Sequence, residues 1–186
     1  MPLIAPHGSS ALQPRIVAPE RKAQVQDEAK CLPSIMLSSS AAANAVMLAA
    51  GYFSPLSGYM NLDDTMMVAA NMTNADGLLW PIPIMNLSAQ CPVQCGERLA
   101  LRDPNIKGGP ILGVMHVDAI ERLSEHQINL IIKQVFRTTD IKHPGVNTLL
   151  NQGRTLISGP IEVLNYSYFQ QDFYRRIYTA FFSSPF

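Results

Sequence analysis

Asp103, Asp140, Lys142 and His143 are the residue types that acid–base chemistry would need: two carboxylates, an ammonium and an imidazole able to pass a proton in a shared cleft. Each also has a local role that accounts for it without catalysis. Asp103 stands between Arg102 and Pro104 and can open a turn, Thr139 and Asp140 can bond neighbouring backbone, and His143 is restrained by Pro144. The local roles are the reading adopted, and no catalytic residue is assigned.

Cys91-Pro-Val-Gln-Cys95 has the form of half a metal knuckle, but a structural zinc site needs a second close pair of ligands. Only Cys31 and scattered histidines remain, so the pair reads as small residues flanking a turn, and no metal ligand is assigned. His7, His116, His126 and His143 are not spaced as a pair on one helical face. There is no Gly-x4-Gly-Lys-Ser/Thr loop and no Gly-x-Gly-x-x-Gly fingerprint, so no nucleotide site and no cofactor is assigned either. Trp80 could stack on a base, as aromatic side chains do in single-strand binders. Its neighbours Leu78, Leu79, Ile82 and Ile84 are apolar rather than basic, which makes it, with Phe53 and Tyr59, a packing or interface anchor.

The elements that must position these residues are legible in part. Ser38, Ser39 or Ser40 can cap a helix over Ala41 to Ala50 that stops at Gly51. A second helix is expected from Leu62 to Met72, with Asp63 and Asp64 at its positive end and Met66, Met67, Ala69 and Ala70 as its apolar stripe. The two methionines read as core filler. Between them Gly51-Tyr-Phe-Ser-Pro-Leu-Ser-Gly-Tyr-Met-Asn61 must turn twice, since Gly51 and Gly58 free the backbone where Pro55 constrains it. Leu79 to Leu87, Glu97 to Arg102 and Ile111 to Val117 read as strands, the first at an edge or bulged because Pro81 and Pro83 cannot donate to a ladder.

Ser124-Glu-His-Gln127 is a capping box ahead of Ile128, Ile131, Ile132 and Val135 at helical spacing. A short helix is expected over Val146 to Leu150, then a last strand over Thr155 to Leu164 interrupted at Gly159-Pro160. Strands cluster in the middle with helices before and after, which favours α+β over a doubly wound sheet. Residues 1–30 read as an arm laid over the domain rather than a core element, 31–165 as the domain, and 166–186, with nine aromatic rings, as a connector or divergent tail.

Nearly half of the 186 residues are hydrophobic (47%), enough for one core but hardly for two domains. Charged residues are sparse and balance at fourteen of each sign, so no overall field draws the chain to nucleic acid or to an anionic membrane. Three cysteines are too few for a disulfide framework and no apolar run approaches a membrane span, which points to the cytoplasm.

The order and spacing of the Phe53 turn, Asp76-Gly-Leu-Leu-Trp-Pro-Ile-Pro-Ile84, Arg98-Leu-Ala-Leu-Arg-Asp-Pro104 and Thr138-Thr-Asp-Ile-Lys-His-Pro-Gly145 resemble the N-terminal domain of ATP sulfurylases (sulfate adenylyltransferases). The likeness runs from about Leu32 to Thr179, with an echo at Pro6-His-Gly8. It implies a PUA-like small β-barrel with peripheral helices. It marks Phe53, Ser54, Pro55, Leu56, Gly58, Trp80, Pro81, Arg102, Asp103, Pro104, Thr139, Asp140, His143 and Pro144 as signature residues of structural or domain-interface character. Arg137 departs from the small residue, usually glycine, that the family pattern puts before Thr-Thr-Asp.

In that family the adenylyl-transfer groups, a Gln-x-Arg-Asn-Pro stretch and a His-x-x-His pair, lie in a following domain. Neither motif occurs here. The resemblance therefore implies a truncated, structural part of an enzyme of sulfur metabolism, inactive alone, whose partner is the catalytic domain or a separately encoded subunit. Self-association into a homo-oligomer would also cover the aromatic rings. The alternative is a freestanding PUA-like module that binds RNA or a protein, with RNA disfavoured by the balanced charge.

Overall fold

The computed structural model describes residues 5–165. In chain order they form α1 (Pro19–Cys31), β1 (Ser34–Met36), α2 (Ser39–Ala49), β2 (Gly58–Tyr59), α3 (Leu62–Asn71), β3 (Leu87–Ser88), β4 (Arg98–Arg102), β5 (Ile111–His116), β6 (Ala119–Arg122), α4 (Glu125–Phe136), α5 (Pro144–Leu150) and β7 (Thr155–Val163). The fold is α+β, and the barrel implied by the resemblance takes the form of a mixed sheet curled into a half-barrel with helices around it.

β7 organises the sheet. Along its length it pairs antiparallel with β5 (Gly113↔Val163), β6 (Ala119↔Ser158), β3 (Leu87↔Leu156) and β2 (Tyr59↔Gly159). β4 adds antiparallel to β5, with a bulge between Leu101 and Arg102, and β1 closes the far edge parallel to β4. β7 runs unbroken through Gly159-Pro160, where an interruption was expected. The reason is a local exchange of partners: Gly159 takes φ +141°, and a Cβ there would strike the His116 carbonyl oxygen, while a Cβ on Gly58, the register partner of Pro160, would strike the Gly159 carbonyl oxygen. Glycine at these two diagonal positions lets the strands approach more closely than side chains allow.

The helices begin where capping chemistry places them. Ser38 Oγ accepts from Ala41 N at 3.1 Å, Asn61 Oδ1 accepts from Asp64 N at 2.9 Å, and the Ser124–Gln127 capping box is complete in both directions. α2 lays Ala41, Ala45 and Leu48 against Leu99, Leu101, Met115 and Ile157 in the main core. α4 turns Ile128, Ile131 and Ile132 onto Leu87, Leu156, Val146 and Leu149 in a second core. Each such fully buried aliphatic side chain contributes on the order of 1.5–3 kcal/mol of transfer free energy.

Several expectations need correction. Within 1–30 the structure has the helix α1, whose Val25 and Ala29 are buried with Val114 and Leu164, so this stretch supplies a small core of its own. Its mean hydropathy is low and its apolar positions few, which hid it. Residues 79–87 form no continuous strand; only Leu87 and Ser88 join the ladder, because Pro81 and Pro83 have no N–H to offer. On α3 the buried stripe is Thr65, Val68 and Ala69, and Met67 points outward instead of filling the core. β1, β2 and β6 were not foreseen. The expected tail 166–186 lies outside the described residues.

Candidate functional site

The signature residues fall into three groups. The first is built on the turn after α2. Gly51, at φ +79°, lets the chain leave the helix, and Ser54 Oγ donates to the Gly51 carbonyl at 2.6 Å while accepting from Gln13 N at 2.8 Å. The Ser54–Pro55 peptide is cis. Arg15 Nε donates to the Leu56 carbonyl at 3.2 Å and its Nη2 reaches the Pro55 carbonyl at 3.4 Å, so the arm before α1 clamps the turn from outside. Gly8 is packed so closely that a Cβ would enter the Leu78 side chain.

Trp80 meets this turn from the other side. Its indole is nearly buried, stands edge-on to Phe53 with centroids 5.9 Å apart, and lies 6.5 Å from the His7 ring. Trp80 N donates to the Met72 carbonyl at 2.7 Å, and His7 Nε2 donates to the Leu79 carbonyl at 3.0 Å. Phe53, Leu56 and Trp80 all pack into the main core. Nearby Tyr59, buried with its hydroxyl donating to the Ala41 carbonyl, has its phenol pKa pushed well up by desolvation. It stays a neutral donor.

The second group is the end of β4. Arg102 Nε donates to the Gly109 carbonyl at 2.7 Å, and Asp103 Oδ1 accepts from Asn105 N at 2.9 Å. Asp103 is 1% exposed, and its Oδ2 has no hydrogen-bond partner. Pro104 continues the turn, which the Ser39 hydroxyl ties to α2 by donating to Asn105 Oδ1 at 2.9 Å.

The third group links α4 to α5. Thr138 Oγ1 accepts from Asp140 N at 3.1 Å and Asp140 Oδ1 from Lys142 N at 2.9 Å. His143, at the N-cap position before Pro144, lies with its ring 5.4 Å from that of Phe136. Thr139 borders a shallow recess with His126 and Lys133. Asp103 and Asp140 thus each accept from backbone within their own loops. Among the described residues no three His, Cys, Asp or Glu side chains come together as a metal site, and Cys31, Cys91 and Cys95 are free thiols.

The surface beside Trp80 exposes apolar side chains. Met72, Leu79 and Ile82 are 43%, 61% and 56% exposed. Of the three, Ile82 also lines a groove of about 340 Å³ between residues 82–85, α4 and α5, whose wall includes Pro83, Met85, Val135, Phe136 and Leu149 beside the polar Asn44 and Gln152. No charged residue occurs from Gly77 to Gly96. These exposed apolar side chains were not foreseen, although the charge-free run itself was readable. The clamp by Gln13 and Arg15 was missed as well, its only signal being the Pro6-His-Gly8 echo.

Residues 4–166 match the family model for the PUA-like domain. The chain belongs to the PUA-like domain family. This PUA-like domain is 53% identical over 173 residues to the sulfate adenylyltransferase of Allochromatium vinosum, covering 92% of this chain and 44% of that protein. With the sulfate adenylyltransferase of Alcanivorax borkumensis it shares 51% identity, over 92% of this chain and 43% of that protein. The chain therefore spans less than half the length of these curated relatives. Among solved structures it is similar to a hexameric APS kinase from Thiobacillus denitrificans, with a TM-score of 0.62 and 27% identity over 87% of this chain and 27% of that one. None of the helices among the described residues is long and apolar enough to cross a membrane.

Proposed function

We propose that this PUA-like domain is the structural, non-catalytic part of a sulfate adenylyltransferase, the enzyme class that joins ATP and sulfate to give adenosine 5′-phosphosulfate and pyrophosphate. The observation that carries this reading is the identity above 50% to two sulfate adenylyltransferases, confined to 43–44% of their length. The chemistry agrees. Transferring an adenylyl group to sulfate, a poor nucleophile, requires cations and donors converging on the phosphates. The local backbone bonds made by Ser54, Arg102 and Asp140 support a structural role for these signature residues. The signature set thus serves the fold and its contacts, the working location is the cytoplasm, and assembly into a homo-oligomer is part of the reading because one structural neighbour is described as hexameric.

The test is sulfate-dependent exchange of pyrophosphate into ATP by the purified 186-residue chain. Exchange at background level is expected; exchange clearly above it, abolished by omitting sulfate, would overturn the reading.

A further inference from the structure

We infer that the apolar face formed by Met72, Leu79 and Ile82 with the adjoining groove is where this domain docks onto the remainder of a sulfate adenylyltransferase chain. The inference rests on the function proposed above and names the surface that such a partner occupies. Large apolar side chains this exposed on one short segment, one of which, Ile82, also lines a mostly apolar groove, have a surface cost in water that a partner removes. The backbone holds them there. The bridge between Thr73 and Leu79 and the bond from Trp80 N to the Met72 carbonyl fix the segment at one end. The bond from Met60 N to the Ile84 carbonyl fixes it at the other. Trp80 is thereby turned inward, and Leu79 and Ile82 are left pointing out.

The composition is that of an interface core, where charge is depleted and aliphatic and aromatic side chains prevail: the run from Gly77 to Gly96 carries no charge at all. The groove beside it has a size and shape that admit projecting side chains, with Phe136 and Val135 on the α4 wall and Leu149 on the α5 wall. The occupant follows from length. The two curated relatives devote only 43–44% of their chains to the part matched here, so in each of them more than half of the polypeptide is available to cover this face.

The test is a hybrid in which this chain replaces the matched part of the Allochromatium vinosum protein, compared with the 186-residue chain alone. In the chain alone, Leu79→Glu together with Ile82→Glu changes solvent-exposed positions and should leave Tm within about 1–2 °C of the parent. In the hybrid the same pair should lower Tm markedly, and hydrogen exchange of segment 77–82 should be slowed by at least about tenfold relative to the chain alone. Met36→Glu, an exposed position on β1 at the opposite edge of the sheet from β2, should do neither. Equal exchange in hybrid and chain, or a pair that is equally silent in both, would overturn this face as the docking surface. That result is independent of the exchange assay with sulfate, which tests the functional reading itself.

Discussion

The Phe53 ring stands edge-on to the Trp80 indole, 5.9 Å between centroids and 74° between planes, and this contact joins the turn after α2 to the segment that carries the exposed apolar face. An edge-to-face pair adds about 0.5–1.5 kcal/mol beyond the area it buries. Trp80→Ala should therefore cost on the order of 3–5 kcal/mol, as large-to-small changes at buried aromatic positions do, and Trp80→Phe distinctly less. Urea unfolding followed by circular dichroism measures both. A Trp80→Ala variant as stable as its parent would show that the indole is not a core anchor.

Arg137 takes φ +57° at the C-cap of α4, a left-handed conformation that costs a side-chain-bearing residue about 1 kcal/mol and glycine nothing comparable. This is a physical reason for the small residue that the resemblance implies at the same place. The Arg137 guanidinium makes one long bond, 3.3 Å to Gln134 on the exposed side of its own helix, so little is lost with it. Arg137→Gly should raise stability by roughly 0.5–1 kcal/mol. A fall in the thermal midpoint would mean that the Gln134 contact outweighs the backbone term.

What the sequence disclosed follows the reach of its signals. Caps act over three residues, so the starts of α2 and α4 could be read from Ser38 and from the Ser124–Gln127 box. β2 and β3 are two residues each, and their existence depends on pairing with β7 about 70 to 100 residues away, which no local pattern encodes. Residues 79–87 show the opposite failure, an apolar run in which Pro81 and Pro83 have no N–H to donate. At the candidate face, Phe53 and Trp80 were identifiable as anchors because their neighbours are apolar. The Arg15 clamp was not, since Arg15 looks like any exposed cation until Pro55 and Leu56, some 40 residues away, present their carbonyls to it.

Asn86 is fully buried, and neither its Oδ1 nor its Nδ2 has a hydrogen-bond partner, while its own carbonyl accepts from Ile157 N at 3.0 Å. The main-chain bond does not depend on the side chain. An unpaired buried amide costs about 1–3 kcal/mol, so replacement by an apolar side chain of similar volume removes a penalty. Asn86→Leu should fold and be as stable as the parent or more so. A loss above about 2 kcal/mol would show that the amide is bonded in solution.

The Glu28 carboxylate ties α1 to the sheet through Arg98 of β4. Arg98 donates to it, and reaches Glu162 at 3.4 Å, which also pairs with Arg21 at 2.9 Å. The bond from Arg98, then that from Gln24, hold the Glu28 carboxyl below its ordinary value of 4.5. Because the folded-state pKa is depressed, the unfolded chain takes up the proton first as pH falls. The stabilisation is thus fully present above about pH 4.5 and is lost as pH drops through the lower folded-state value. The carboxylate is exposed and salt screens it, so the effect is modest and belongs to α1 more than to the whole domain. Glu28→Gln should lower Tm slightly at pH 7 and low salt, with the gap to the parent closing below about pH 4 and also in 1 M salt. A gap that persists unchanged at pH 3 would mean that Glu28 acts through packing of its stem and not through its charge.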